Sequence, residues 1–376
     1  MTKLHELFSK MGQSPWLDNI RRDYITGGKL ELLVEQGVRG LTSNPTIFAN
    51  AIESEDDYDE QLQDLASTYD TEECYWRLVA DDIRGALAIL RPTYDASSGT
   101  DGFASLEVSP MLAHDAAGTL QAARRLHADI SAPNLLIKVP ATKEGAPAVR
   151  TLISEGISIN VTLIFSLQRY EEVIEAYISG LEDRLRSGAE RLDGVASVAS
   201  FFVSRVDTEV DSRIRSLSAS ASDAAERGRL DRLAGTAAVA QAKLAYEIFS
   251  KSIDTPRWKA LASRGARPQR PLWASTSTKN PAYSDLVYVD NLIAPDTVNT
   301  MPDATLASFQ DHGTLERTAD KGLDEARRSM QSLLEIGIDL DDVSAILEHQ
   351  GVEAFQNAFA SALQCLEAKV SSLAPR

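Results

Sequence analysis

The sequence predicts an α/β chain, a closed (β/α)8 barrel with additional C-terminal helices. Three observations carry this prediction. Eight short runs of apolar and β-branched residues recur along the chain. Longer stretches with apolar residues at helical spacing separate them, and such alternation implies parallel βαβ units. Polar and ionisable residues stand at the C-terminal ends of most runs, where a barrel gathers its βα loops. An open doubly wound sheet is the alternative. It is weakened because no Gly-x-Gly-x-x-Gly follows the first run.

In order, the expected strands are SPWLDNI (14–20), GVRGLT (37–42), FASLEVS (103–109) and NLLIKVP (134–140). GISINVTLIF (156–165), GVASVASFFVS (194–204), RPLWAST (270–276) and DLVYVDNL (285–292) complete the eight. GKLELLVEQ (28–36) has helical spacing. Residues 72–99 hold a long helix that Pro92 should end, because proline lacks the donor that a helix interior needs. A helix within 111–133 begins after Pro110 and stops before Pro133. The amphipathic stretch 166–188 has Ser166 as its cap and Gly188 as its close. Residues 232–253 form an alanine-rich helix, and the Ser/Ala-rich 216–229 reads as a surface insertion or a soft helix start. Near the C-terminus, 351–373 carries apolar residues at three- and four-residue spacing, a helix packed on the body. The chain is expected to be one barrel domain over 1–376, with a helical extension from about 302 to 376.

Composition narrows the function. The 376 residues are 43% hydrophobic and 25% charged, an ordinary globular balance with ample material for a core. A net charge of −17 repels phosphate backbones and anionic bilayers, so neither nucleic acid nor membrane is an expected partner. An anionic small molecule would need a local cationic trap. Cys74 and Cys365 are far apart, and the five histidines are scattered without metal-ligand spacing, so no metal site and no cofactor is expected. The charged N-terminal stretch lacks the apolar core of a secretion signal, and no apolar run is long enough to span a bilayer, so a cytoplasmic location is expected. Monomer and homodimer both stay open.

The run ends hold a conspicuous set of groups. Asp18 ends the first run, and Thr42, Ser43 and Asn44 end the second. Glu107 lies on the third, Lys138 on the fourth, Asn160 and Thr162 on the fifth. Ser200 lies on the sixth with Arg205 just beyond, and Ser275 on the seventh with Lys279 following. Each has a bland reading. Lys138 could snorkel to solvent, Asp18 could cap a helix, Asn44 could shape the turn before Pro45, and Asn160 with Thr162 could make a buried structural bond. Glu107 could pair structurally, and Arg205 could bridge to Asp207 or Glu209. All these readings would have to hold together on one rim.

Lys138 points to covalent catalysis. Burial disfavours the charged ammonium, and a free amine attacks a ketone to form an imine that then acts as an electron sink. A carbon–carbon bond beside it can break without a metal. One carboxylate must move the proton of the adjacent hydroxyl and another must activate water, roles open to Asp18 and Glu107.

These segments resemble the transaldolase family. GVRGLTSNPTIFANAI (37–52) is similar to its strand-two signature, and NLLIKVPATKEG (134–145) to its imine-lysine segment. GISINVTLIFSLQRY (156–170) and VASFFVSRVD (198–207) resemble its strand-five and strand-six segments, with WLDNI, SLEVS and PLWASTSTKNP in matching order. The resemblance implies a class I aldolase-type TIM barrel that transfers a dihydroxyacetone unit between sugar phosphates in the non-oxidative pentose phosphate pathway. It makes Lys138 the imine lysine, Asp18 the acid/base at the cleaved bond, and Glu107 with Thr162 the holders of the catalytic water. It makes Asn44 and Asn160 binders of the three-carbon hydroxyls, lines the site with Ser200, and gives the substrate phosphate to Arg205 and Ser275. Where the better-known branch has an arginine two residues after that serine, this chain has Ser277, and Lys279 is the substitute. The greater length resembles the actinobacterial branch. Two other functions remain: a fructose-6-phosphate aldolase that releases dihydroxyacetone, and a catalytically silent sugar-phosphate-binding barrel.

Overall fold

The computed structural model describes residues 1–54 and 56–373. Eight parallel strands close into a barrel: β1 (Gln13–Leu17), β2 (Gly40–Thr42), β3 (Phe103–Glu107), β4 (Leu135–Pro140), β5 (Ile159–Ile164), β6 (Ser197–Phe202), β7 (Arg270–Ala274) and β8 (Thr297–Met301). Each strand pairs with the next in sequence and β8 pairs with β1, so no edge is left open. Almost every strand residue is buried, which is why these segments read as continuous runs instead of alternating ones.

Two glycines show how closely the barrel is packed. A Cβ on Gly40 would lie 2.5 Å from the Trp16 indole, so only glycine lets that ring occupy the barrel interior beside β2. A Cβ on Gly145 would lie 1.9 Å from the Pro140 carbonyl oxygen. Helix Gly145–Glu155 can therefore start tight against the end of β4 only with glycine there.

The eighth strand is not where the sequence suggested. Residues 285–292 contain a short helix, Val287–Asp290, whose flanking apolar side chains Leu286 and Leu292 are buried in the core. The actual β8, TVNTM, has three polar residues in five and so lacks the apolar run that marks the other strands. Its side-chain oxygens are bonded inside the barrel: Gln13 Nε2 donates to Thr297 Oγ1 at 2.9 Å, and Thr276 Oγ1 donates to Asn299 Oδ1 at 3.0 Å, while Asn299 Nδ2 has no partner among the described residues. Pro92 is a second correction. Helix Thr71–Ala96 runs through it. The missing donor costs about 3 kcal/mol, while each buried side chain on that helix returns about 1.5–3 kcal/mol. Leu78, Ile83, Leu87 and Leu90 are all buried, and beyond the proline Tyr94 packs edge-on against Phe103 at 5.4 Å.

Other elements follow the expected chemistry. Ser166 accepts from the Arg169 amide at 3.0 Å and opens helix Leu167–Arg186. The Ser/Ala-rich segment is the end of helix Ser204–Ala219 and the start of helix Ala224–Asp231, tied by Ser218 Oγ donating to Asp231 at 2.8 Å. The last helix, Leu340–Leu373, starts well before the expected 351 and packs on the barrel through Leu347, Val352, Phe355, Phe359 and Leu366, all buried. Among the described residues, no helix is long and apolar enough to cross a membrane.

Candidate active site

Lys138 is 4% exposed, near the end of β4. The register sets its neighbours: Glu107 of β3 lies opposite on one side and Asn160 of β5 on the other. Its Nζ sits 3.0 Å from Glu107 Oε2 and donates to the Ser43 carbonyl at 3.1 Å. The Phe355 ring centroid lies 5.6 Å away. Snorkelling to solvent is therefore excluded. A buried ammonium is costly unless paired, and here one carboxylate and one carbonyl hold it.

Burial pushes the Glu107 carboxyl above the usual carboxylate range, against the pull of the Lys138 charge and hydrogen bond. Its Oε1 has no hydrogen-bond partner among the described residues, and neither does the buried Thr162 hydroxyl on β5. Two orphaned oxygens on β3 and β5 thus flank the lysine strand. On β5 as well, Asn160 is locked in place. Its amide nitrogen donates to Ser105 Oγ at 3.0 Å, and its carbonyl accepts from Ser200 Oγ at 2.7 Å.

Asp18 follows β1 directly. It accepts from Thr42 Oγ1 at 2.7 Å, and the Thr42 hydroxyl also meets Thr300 Oγ1 at 2.7 Å. The residue reaches the cavity, yet protein surrounds its carboxyl group. That desolvation raises its pKa, opposed by the Thr42 hydrogen bond and by the charges of Lys138 and Lys279. It caps no helix.

The cationic end of the site lies beyond β6 and β7. Arg205 stacks its guanidinium over Phe202 at 5.6 Å and makes no ion pair among the described residues. The expected bridges do not form: Glu209 pairs with Arg213 at 2.9 Å, and Asp207 accepts from the Ala238 amide and the Tyr288 hydroxyl. Burial alone lowers the Arg205 pKa, and an arginine so placed stays cationic. Ser275, in a left-handed conformation with φ 56°, meets Ser204 Oγ at 2.9 Å. Lys279 is exposed, and its Nζ donates to Ser277 Oγ at 2.8 Å, which draws the ammonium back to the position where the resemblance called for an arginine. Asn44 has a double part. Its Oδ1 accepts from the Ile47 amide at 3.0 Å, across the turn at Pro45 that the sequence reading gave it to shape, while its amide nitrogen has no partner among the described residues.

A cavity of about 210 Å³ is lined by Asp18, Asn44, Lys138, Thr162, Ser200, Arg205, Ser275 and Lys279. Glu107 and Asn160 stand behind that wall, held to Lys138 and Ser200 respectively. All ten residues singled out from the sequence converge on one mouth. A larger groove of about 610 Å³ on the outer helices, near Trp76 and Arg125, holds none of them. Among the described residues, no group of three His, Cys, Asp or Glu side chains could hold a metal ion. Sequence reasoning missed Ser105, Thr300 and Phe355. Ser105 was findable, since it lies two residues before Glu107 on the same face of a strand. Phe355 is remote in sequence and gave no signal.

Comparison with known proteins shows the family. The family model for transaldolase/fructose-6-phosphate aldolase matches residues 15–366. A transaldolase of Parafrankia sp. strain EAN1pec is 48% identical over 377 residues, covering 100% of both chains. One from Frankia alni is 49% identical over 354 residues, 93% of each chain, and the Nostoc transaldolase 2 is 44% identical over 370 residues, 97% of each. The chain belongs to the transaldolase/fructose-6-phosphate aldolase family.

Proposed function

We propose that the chain is a transaldolase acting in the non-oxidative pentose phosphate pathway. It moves a dihydroxyacetone unit from sedoheptulose 7-phosphate to glyceraldehyde 3-phosphate, giving erythrose 4-phosphate and fructose 6-phosphate. The observation that carries this reading is the buried Lys138 amine at the cavity wall, 3.0 Å from a carboxylate whose pKa burial has raised. Such a carboxylate can take the ammonium proton and leave a nucleophilic amine.

The amine attacks the ketose carbonyl carbon, and loss of water leaves a protonated imine on Lys138. Glu107 and Thr162, whose unpaired oxygens flank the lysine, hold the water that leaves here and returns at the end. Asp18 takes the proton from the hydroxyl on the far carbon of the scissile bond. That bond breaks, its electron pair moves toward the imine nitrogen, and the shortened aldose departs. The remaining enamine carbon attacks the aldehyde of the acceptor, Asp18 returns a proton to the new hydroxyl, and water releases the product ketose. Asn44 and Asn160 bind the hydroxyls of the three-carbon unit, and Ser200 keeps Asn160 oriented. Arg205, Ser275 and Lys279 hold the phosphate, through charge-assisted hydrogen bonds from the two cations. The reaction takes place in the cytoplasm.

Borohydride trapping with fructose 6-phosphate, followed by peptide mass mapping, tests this. A three-carbon adduct on the Lys138 peptide is expected, and erythrose 4-phosphate added before the trap should discharge it to a seven-carbon sugar phosphate. Protein that binds the sugar but forms no adduct would overturn the proposal. Free dihydroxyacetone as the main product would instead identify an aldolase.

A further inference from the structure

Helix Leu340–Leu373 lies across the mouth of the barrel, and its contacts trace the crossing. Ser344 Oγ donates to the Phe165 carbonyl, just past β5, at 2.8 Å. Two turns on, Gly351 lies so near β5 that a Cβ there would be 3.0 Å from Leu163 Cδ2. Then Gln356 Nε2 donates to the Pro110 carbonyl, beyond β3, at 3.2 Å. Phe359 packs edge-on against Tyr75 at 5.0 Å. The helix therefore runs from the β5 side to the β3 side, and β4 with Lys138 lies between. Phe355 is the residue it carries over that strand. It is 4% exposed, lines the cavity, and presents its ring 5.6 Å from Lys138 Nζ.

The other near neighbours of Nζ are oxygens, those of Glu107 and Ser43. Phe355 can neither give nor take a proton. Its ring offers a weakly negative face to a cation, and it excludes water from the volume it fills. We propose that Phe355 is a positioning residue that decides the fate of the three-carbon unit on Lys138, holding it for transfer instead of release. The inference rests on the Schiff-base reading of Lys138. Release needs a proton delivered to the enamine carbon, then water added at the imine carbon, which frees dihydroxyacetone and returns the lysine amine. Transfer needs the same enamine carbon to attack an acceptor aldehyde. The two routes compete for one carbon, and a ring that keeps water off the adduct favours the aldehyde. The C-terminal helix thereby becomes part of the working site.

The test compares the native protein with Phe355→Leu, Phe355→Ala and Phe359→Leu. With fructose 6-phosphate and erythrose 4-phosphate, the ratio of sedoheptulose 7-phosphate to free dihydroxyacetone is measured, beside the borohydride-trapped adduct. The adduct should form in all four proteins. The ratio should fall about tenfold in Phe355→Ala, the scale of one desolvated cation–π contact, and about threefold in Phe355→Leu, which keeps apolar volume but loses the aromatic face. Phe359→Leu should leave it unchanged. If the alanine variant does not fold, the leucine variant alone decides. An unchanged ratio in the Phe355 variants, or an equal fall in Phe359→Leu, would reduce Phe355 to packing and overturn the inference while the adduct still stands. Absence of adduct in the native protein would overturn the Schiff-base reading itself, and the inference with it.

Discussion

At the scale of single residues, the proposed chemistry turns on where protons sit. Asp18 must be a carboxylate to take the hydroxyl proton in the cleavage direction. Burial raises its pKa, and the hydrogen bond from Thr42 is the largest effect opposing that rise. As pH falls through the raised value, Asp18 is protonated and cleavage slows, so kcat/KM should have an acid limb above the pH expected of an exposed aspartate. Thr42→Val removes the opposing hydrogen bond and should move that limb to still higher pH, with the alkaline plateau retained. A kcat/KM profile for fructose 6-phosphate checks this, and a limb that moves down would contradict it. Arg205 is the other decisive side chain. Unpaired by any carboxylate among the described residues, it keeps its charge for a ligand. Arg205→Ala should raise KM for phosphorylated sugars about tenfold or more, since a charge-assisted hydrogen bond is worth about 1.5–3 kcal/mol. An unchanged KM would end its phosphate role.

At the scale of elements, the segment after β7 carries Ser275, Ser277 and Lys279, and two tyrosines anchor the stretch that follows. Tyr283 donates to Asp211 at 2.7 Å and Tyr288 donates to Asp207 at 2.9 Å, both acceptors lying on the helix that begins with Ser204 and Arg205. Burial pushes the Asp207 carboxyl up to about 6. The latch couples the two cationic parts of the site through one helix. Tyr283→Phe should therefore loosen Lys279 without touching Lys138, raising KM for phosphorylated substrates roughly threefold, the scale of one lost hydrogen bond, with kcat kept. Steady-state kinetics that show kcat falling as much as kcat/KM would argue for a wider collapse of the site.

At the scale of the whole molecule, a net charge of −17 works against the anionic substrates of a transaldolase. The global field repels sugar phosphates at long range, and the local cations hold them at contact. Salt screens the long-range part more strongly than the buried contact part. Raising ionic strength from about 10 mM to about 150 mM, a span that shortens the Debye length from roughly 30 Å to roughly 8 Å, should therefore increase kcat/KM. A steady decline with salt would mean that local attraction governs association as well as binding.

Much of this protein was legible in its sequence. Strand runs and helix spacing foretold a barrel because hydrophobic period is local, and seven of the eight strands fell within the expected runs or one residue outside them. The ten candidate residues could be singled out together because the strand ends of a parallel barrel, and the loops just past them, gather at one mouth. β8 was not legible. Three of its five residues are polar, and Thr297 and Asn299 bond to Gln13 of β1 and to Thr276 just past β7, so the segment shows no apolar run. Pro92 misled because a local propensity cannot register the packing of a long helix against the barrel. Above all, only the tertiary structure set Phe355 over Lys138. By itself the sequence determined the barrel and the strand-end positions of Lys138, Asp18 and Glu107, since these depend on local pattern and strand order. How Lys138 is paired, which oxygens stay unpaired and which helix roofs the site depend on contacts between segments as distant in the chain as Tyr75 and Phe359. Folding alone creates those contacts.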